Sequence, residues 1–95
     1  MYASIRRYKI HPDGMAELAR RVNEGFAPLI SQAPGFVTYF ALDAGNDVVA
    51  SVSVFQDQAG AEQSNRLAAD WVQRNLVELI ASAPEITSGE VLVHL

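Results

Sequence analysis

Val48-Val49-Ala50-Ser51-Val52-Ser53-Val54-Phe55 is the stretch whose reading decides the fold. β-Branched residues recur through it, as suits a pleated strand. Val48, Ala50, Val52 and Val54 fall on one face, and Val49, Ser51, Ser53 and Phe55 on the other. Neither face carries a charge, so the stretch reads as a central strand covered on both sides. Just before it, Asp43-Ala44-Gly45-Asn46-Asp47 supplies turn residues, and Phe36–Leu42 (FVTYFAL) supplies a second aromatic and β-branched run. Two such runs across a short loop predict an antiparallel hairpin.

Upstream, Met15, Leu18, Ala19, Val22, Phe26, Leu29 and Ile30 follow the i, i+3, i+4, i+7 spacing of one helical face. Asp13 is expected to cap this helix, Pro28 to kink or loosen its last turn, and Pro34-Gly35 to stop it. Ala3–Ile10 (ASIRRYKI) reads as a first strand, closed by the turn residues His11-Pro12-Asp13-Gly14. Downstream, Asp57 is the expected N-cap of a second helix reaching about Ala81. Its apolar stripe comprises Leu67, Ala68, Trp71, Val72, Leu76, Leu79 and Ile80. Pro84 and the run Glu85–Gly89 break that pattern, and Val91–Leu95 (VLVHL) is the expected last strand.

The order β-α-β-β-α-β packs most simply as an α+β, ferredoxin-like domain over residues 1–95. Its four-stranded antiparallel sheet has strand order 4-1-3-2, with both helices on one face. The other sheet face then needs cover, and a second copy of the chain is the expected source. At 95 residues, only roughly two-thirds of the unfolded surface is buried on folding, which makes a partner subunit a natural supplement.

Composition narrows the function classes. The net charge is −4 and Lys9 is the only lysine, which argues against a nucleic-acid partner, since phosphate binding needs clustered cations. The absence of cysteine excludes disulfides, a thiol nucleophile and thiolate metal sites. The longest uncharged apolar-rich stretch, Val48–Phe55, falls far short of the roughly 20 residues that span a bilayer. Arg6, Arg7 and Lys9 are followed by no apolar run of the signal-peptide kind. A cytoplasmic protein without membrane contact is the expectation.

The element order, Pro34-Gly35-Phe36 between the first helix and second strand, and Ser53-Val54-Phe55-Gln56-Asp57 leading into an Ala/Glu-rich helix carry a family resemblance. The chain resembles the antibiotic biosynthesis monooxygenase domain of the dimeric α+β barrel superfamily. That resemblance implies a homodimer whose two sheets close into a barrel, with a small-molecule pocket between each sheet and its helices. It does not imply one activity, because the superfamily includes cofactor-independent oxygenases of aromatic polyketides, haem-degrading enzymes and proteins of unknown role.

The haem-degrading members use an Asn on the first strand and a Trp and an axial His on the second helix. Residues 1–10 here hold no Asn, and the only histidines are His11, in a turn, and His94, in the expected last strand. Haem chemistry is therefore disfavoured, no cofactor is expected, and two separated histidines without cysteine make a metal site improbable. The cofactor-independent oxygenases instead let a substrate anion react with oxygen while the pocket stabilises negative charge.

Candidate pocket residues are Arg6, Tyr8, Tyr39, Trp71 and Asn75. Arg6 and Arg7 occupy successive positions on a central strand, so one guanidinium points to each face. A buried unpaired charge is too costly to persist. Three outcomes stand open. Glu90 pairs with one arginine across the sheet while the other reaches the rim; Arg6 with Tyr8 binds an anionic or phenolic ligand; or an arginine forms an ion pair at a dimer interface. Trp71 on an apolar helical stripe has an ordinary core role available to it. His94 is either a solvent-facing residue or a base, and Ser51 and Ser53 read as small packing residues. Two functions follow: a cofactor-independent monooxygenase acting on a small aromatic or polyketide-like molecule, or a non-catalytic module with the same pocket.

Overall fold

The computed structural model describes residues 1–95. Four strands, β1 (Tyr2–Lys9), β2 (Phe36–Gly45), β3 (Val48–Phe55) and β4 (Glu85–Glu90), form one antiparallel sheet in the order β2-β3-β1-β4. This is the 4-1-3-2 order read from the other edge. The first helical rod comprises α1 (Met15–Arg21), a π-helical turn (Val22–Phe26) and α2 (Ala27–Ile30); the second is α3 (Gln58–Asn75).

Local sequence explains most of these elements. Asp57 caps α3, its Oδ1 accepting from the Gly60 N–H at 2.8 Å. In the β2–β3 turn Asn46 and Asp47 both have positive φ, the pair of left-handed residues that a tight hairpin turn favours. The Asp43 carboxylate accepts from the Gly45 N–H, where the register shifts. The loosening expected at Pro28 occurs one turn earlier. The Ala27 N–H reaches back five residues to the Val22 carbonyl, immediately before the proline that has no N–H to give.

Four expectations are corrected. Asp13 does not cap the first helix: it takes a left-handed conformation in the turn, and Gly14 is the N-cap. The second helix stops at Asn75 rather than about Ala81. Beyond it the Leu79 carbonyl accepts from His11, Ala81 donates to Lys9, and Ile80 bridges Ile10, so the chain turns to pair with the end of β1 and its following residues instead of continuing the helix. The last strand is Glu85–Glu90, not Val91–Leu95. Because β1 begins at Tyr2, opposite Glu90, no strand remains for the tail to pair with, and Leu92, Val93 and Leu95 are exposed. Glu90 therefore faces neither arginine; Ile86 lies opposite Arg6 and Glu85 opposite Arg7.

Both helical rods cover one sheet face. Two buried clusters form there, one around Tyr8, Ile10, Leu18, Val49 and Leu76, the other around Phe26, Ile30, Phe55, Ala61 and Ala68. Val22 and Trp71 pack against both and so bridge them. The opposite face bears no helix. Across it Ile5, Val52 and Phe40 stand in register on β1, β3 and β2, beside the Ala50–Leu42 pair. Phe40 remains 59% exposed.

Candidate functional site

A cavity lies where the two clusters meet. Strand alternation sends Arg6 and Tyr8 of β1 toward the helices, together with Tyr39 of β2 and Ser51 and Ser53 of β3. From α3 come Asn65, Ala68, Trp71 and Val72; from the first rod come Leu18, Val22 and Phe26. The space enclosed between sheet and helices is about 40 Å³, enough for a few waters. Clefts of about 340 and 290 Å³ flank it.

Arg6 dominates the site electrostatically. It is 5% exposed. The ion pairs of the chain engage Arg20, Arg21 and Arg74 and never Arg6, and no carboxylate lines the enclosed cavity. Its partners are neutral. Nε and Nη2 donate to the Tyr8 hydroxyl at 2.9 and 2.7 Å, and Nη1 reaches the backbone and side-chain oxygens of Asn65, each at 3.4 Å. Because the Tyr8 oxygen already accepts two bonds, its own proton is directed elsewhere as a donor. A guanidinium held out of water by neutral groups attracts an anion more strongly than an exposed one, because the local dielectric is low.

Asn65 ties the site to the sheet. Its Oδ1 accepts from Ser4 Oγ at 2.8 Å, and Ser4 Oγ also lies 3.0 Å from Ser88 Oγ. Burial pushes the Tyr39 phenol above its usual range, an effect that the nearby Ser51 and Arg6 partly offset. Tyr39 is thus a neutral hydrogen-bond donor around pH 7. Its ring meets Phe26 edge-on at 5.6 Å, and Phe26 meets Trp71 at 5.4 Å, giving an aromatic wall held by the π-helical turn.

Arg6, Tyr8, Tyr39 and Trp71 therefore line one cavity, whereas Asn75 does not. Asn75 is exposed at the end of α3, where its side chain bonds the Trp71 carbonyl and its own carbonyl accepts from Arg21. Asn65 was legible in principle. It falls among Ala61, Ser64, Ala68, Trp71 and Val72 at helical spacing, a polar side chain on the buried stripe. His11 and His94 are both exposed and outside the cavity. No three His, Asp or Glu side chains cluster in metal-binding geometry, and no helix is long and apolar enough to cross a membrane.

The model of the family described as "Antibiotic biosynthesis monooxygenase" matches residues 1–69, a span that includes Arg6, Tyr8, Tyr39 and Asn65. Among curated proteins, none matches. Among solved structures, the chain is similar to a protein of unknown function from Nitrosomonas europaea, with 27% identity and a TM-score of 0.83 over 99% of this chain and 91% of that one. A candidate antibiotic biosynthesis monooxygenase from the same organism shares 13% identity at a TM-score of 0.78, over 98% and 100% of the two chains. Another, from Bordetella bronchiseptica, shares 16% identity at 0.79, over 97% of each chain. The last two likenesses speak for the fold alone.

Proposed function

The chain belongs to the antibiotic biosynthesis monooxygenase family, and on that premise we propose that it binds a small aromatic anion at Arg6 and Tyr8 and oxygenates it without a cofactor. One observation carries this reading: the Arg6 side chain is buried and hydrogen-bonded only to neutral groups. A phenolate or enolate seated there completes the electrostatics of the site, and the Tyr8 O–H and neutral Tyr39 phenol supply hydrogen bonds to its oxygen.

The enclosed cavity presents no carboxylate or imidazole to remove a proton. The substrate is therefore a compound acidic enough to arrive ionised, and Arg6 favours that form. Reaction with oxygen then converts a ring CH2 to C=O. One oxygen atom enters the product, the other leaves as water with the two hydrogens, and the substrate supplies all four electrons. The protein's part is to hold the anion and stabilise its charge while electrons pass to oxygen. The same missing base favours the second reading, a binding module that holds the anion without turning it over.

The working unit in this proposal is a homodimer. Ile5, Val52, Phe40 and Leu42 form an apolar strip on the helix-free sheet face, and a second copy covers it to close the barrel.

Oxygen uptake with indane-1,3-dione, a two-ring compound whose acidic ring CH2 ionises near neutral pH, separates the two readings. Catalysis predicts uptake above the uncatalysed rate, one O2 per indane-1,2,3-trione formed, falling by about 10²-fold or more in Arg6→Gln, as when an oxyanion donor is removed. Arg6-dependent binding with uptake at the uncatalysed rate establishes the module instead. Binding indifferent to Arg6→Gln overturns both.

A further inference from the structure

The enclosed cavity stands between two clefts that share no lining residue with each other. One cleft runs between α3 and the segment 80–84, and Arg6 is its only charged residue. The other opens between α1 and the β2 edge, and Asp43 is its only charged residue. The two ways to the centre thus carry opposite charge. An anion is drawn toward the first and repelled from the second.

Volume points the same way. An apolar cavity of about 150 Å³ takes up benzene, so a space of about 40 Å³ holds no ring, whereas the Arg6 cleft of about 340 Å³ holds two fused rings. Its outer lining is small at Ala69, Ala81 and Ala83, which leaves the floor open. Val72 and Ile80 line both the cleft and the enclosed cavity, as do Arg6 and Tyr8. The two spaces therefore adjoin along these two aliphatic side chains and this polar pair.

Resting on the anion-binding reading above, we infer that the ring of the ligand lies in the α3 cleft against Ala69 and Gln73, with its anionic group on Arg6 and Tyr8. Val72 and Ile80 keep the ring itself out of the enclosed cavity. The ligand class this defines is a planar one- or two-ring aromatic with a single ionised oxygen substituent at one end. Ala69 limits its width.

Calorimetric titration with 2-naphthoate tests this with two cleft-filling variants at exposed helix positions, Ala69→Trp in the Arg6 cleft and Ala19→Trp in the Asp43 cleft. The expected result is a loss of affinity of tenfold or more in Ala69→Trp and less than twofold in Ala19→Trp. Amide resonances of Ala69, Gln73 and Ala83 in the native protein shift on titration, and those of Ala19 and Asn23 do not. The reverse pattern, or equal losses in both variants, overturns the cleft assignment. Arg6→Gln separates the two levels: affinity unchanged in that variant overturns the anion-binding reading itself, whereas affinity lost there but indifferent to Ala69→Trp overturns the cleft alone. Failure of the native protein to bind 2-naphthoate overturns both.

Discussion

Two N–H groups of Arg6, on Nε at 2.9 Å and on Nη2 at 2.7 Å, end on the same acceptor, the Tyr8 hydroxyl oxygen. The residues stand two apart on β1 and so share the helix-facing side. The Arg6 guanidinium also lies 5.5 Å from the Tyr8 ring centroid, within cation–π range. One strand thereby supplies a buried cation, the group that satisfies it, and an O–H aimed away from it.

Removing the acceptor exposes how much the arrangement depends on it. Tyr8→Phe leaves two buried donors of Arg6 unpaired, for a loss of about 1–3 kcal/mol in unfolding free energy. Adding Arg6→Met removes the stranded charge, so the double variant loses less than the sum of the single changes. Urea unfolding of the four proteins measures the coupling, and strict additivity would contradict it.

Gly25, in the π-helical turn, is required by a close approach. A Cβ there would meet Trp71 Cζ2 at 2.8 Å, too near for contact without movement. Glycine to alanine inside a helix ordinarily gains about 0.5–1 kcal/mol. Here Gly25→Ala forces the indole aside and destabilises by about 1–3 kcal/mol through overpacking. Trp71 is the single tryptophan, so thermal unfolding and a displaced emission maximum report on the same contact. A stabilised variant with unchanged emission refutes the requirement.

The Glu17 carboxyl is lowered from 4.5 to about 2 by hydrogen bonds first from Arg20 and then from Arg21. Arg21 also bonds Glu78 and the Asn75 carbonyl, which joins α1 to the end of α3. A carboxyl whose pKa is lower in the folded state stabilises the fold at pH above 4.5, and that contribution fades as pH falls from 4.5 toward 2. The group is solvent-exposed, so the effect is small and weakens with salt. Carbon-detected NMR of the Glu17 side chain is expected to give a midpoint near 2, and a midpoint near 4.5 negates the pairing.

Sedimentation tests the second copy proposed for the open sheet face. The native chain is expected to sediment as a dimer at micromolar concentration. Phe40→Glu places a charge in the middle of the apolar strip, where a covered surface cannot hydrate it, and is expected to give a folded monomer. A native monomer, or a variant dimer of undiminished affinity, refutes this interface.

Much of the fold could be read from short-range patterns. The two uncharged faces of Val48–Phe55 mark β3 as central, the spacing of Met15 through Ile30 marks a helical face, and Asp57 caps the helix after it. These features were legible because strand and helix periods of 2 and 3.6 residues are imposed by the backbone over a few residues. Glu85–Glu90 escaped because an edge strand with one neighbour tolerates polar and glycine residues, while the apolar Val91–Leu95 imitates a strand that has no partner. In the site, Arg6 and Tyr8 were visible as a charge and a phenol on a central strand. Asn65 precedes the large apolar residues of the stripe, which begin at Leu67, and the buried positions before it, Ala61 and Ser64, carry small side chains that mark the stripe only weakly.

The amino-acid sequence by itself determined the element order, the hairpin, the central place of β3 and the placing of a cation and a phenol two residues apart, and so on one side of β1. Each follows from bonding and side-chain alternation within a few residues. Only the tertiary structure decided that Arg6 rather than Arg7 turns toward the helices, that α3 ends at Asn75, that Asn65 rather than Asn75 lines the cavity, and that Glu90 meets neither arginine. These depend on which residues stand opposite one another across the sheet and between sheet and helix. Such pairings join positions as distant as Ser4 and Ser88, and they are set by the packing of the whole chain rather than by any local repeat.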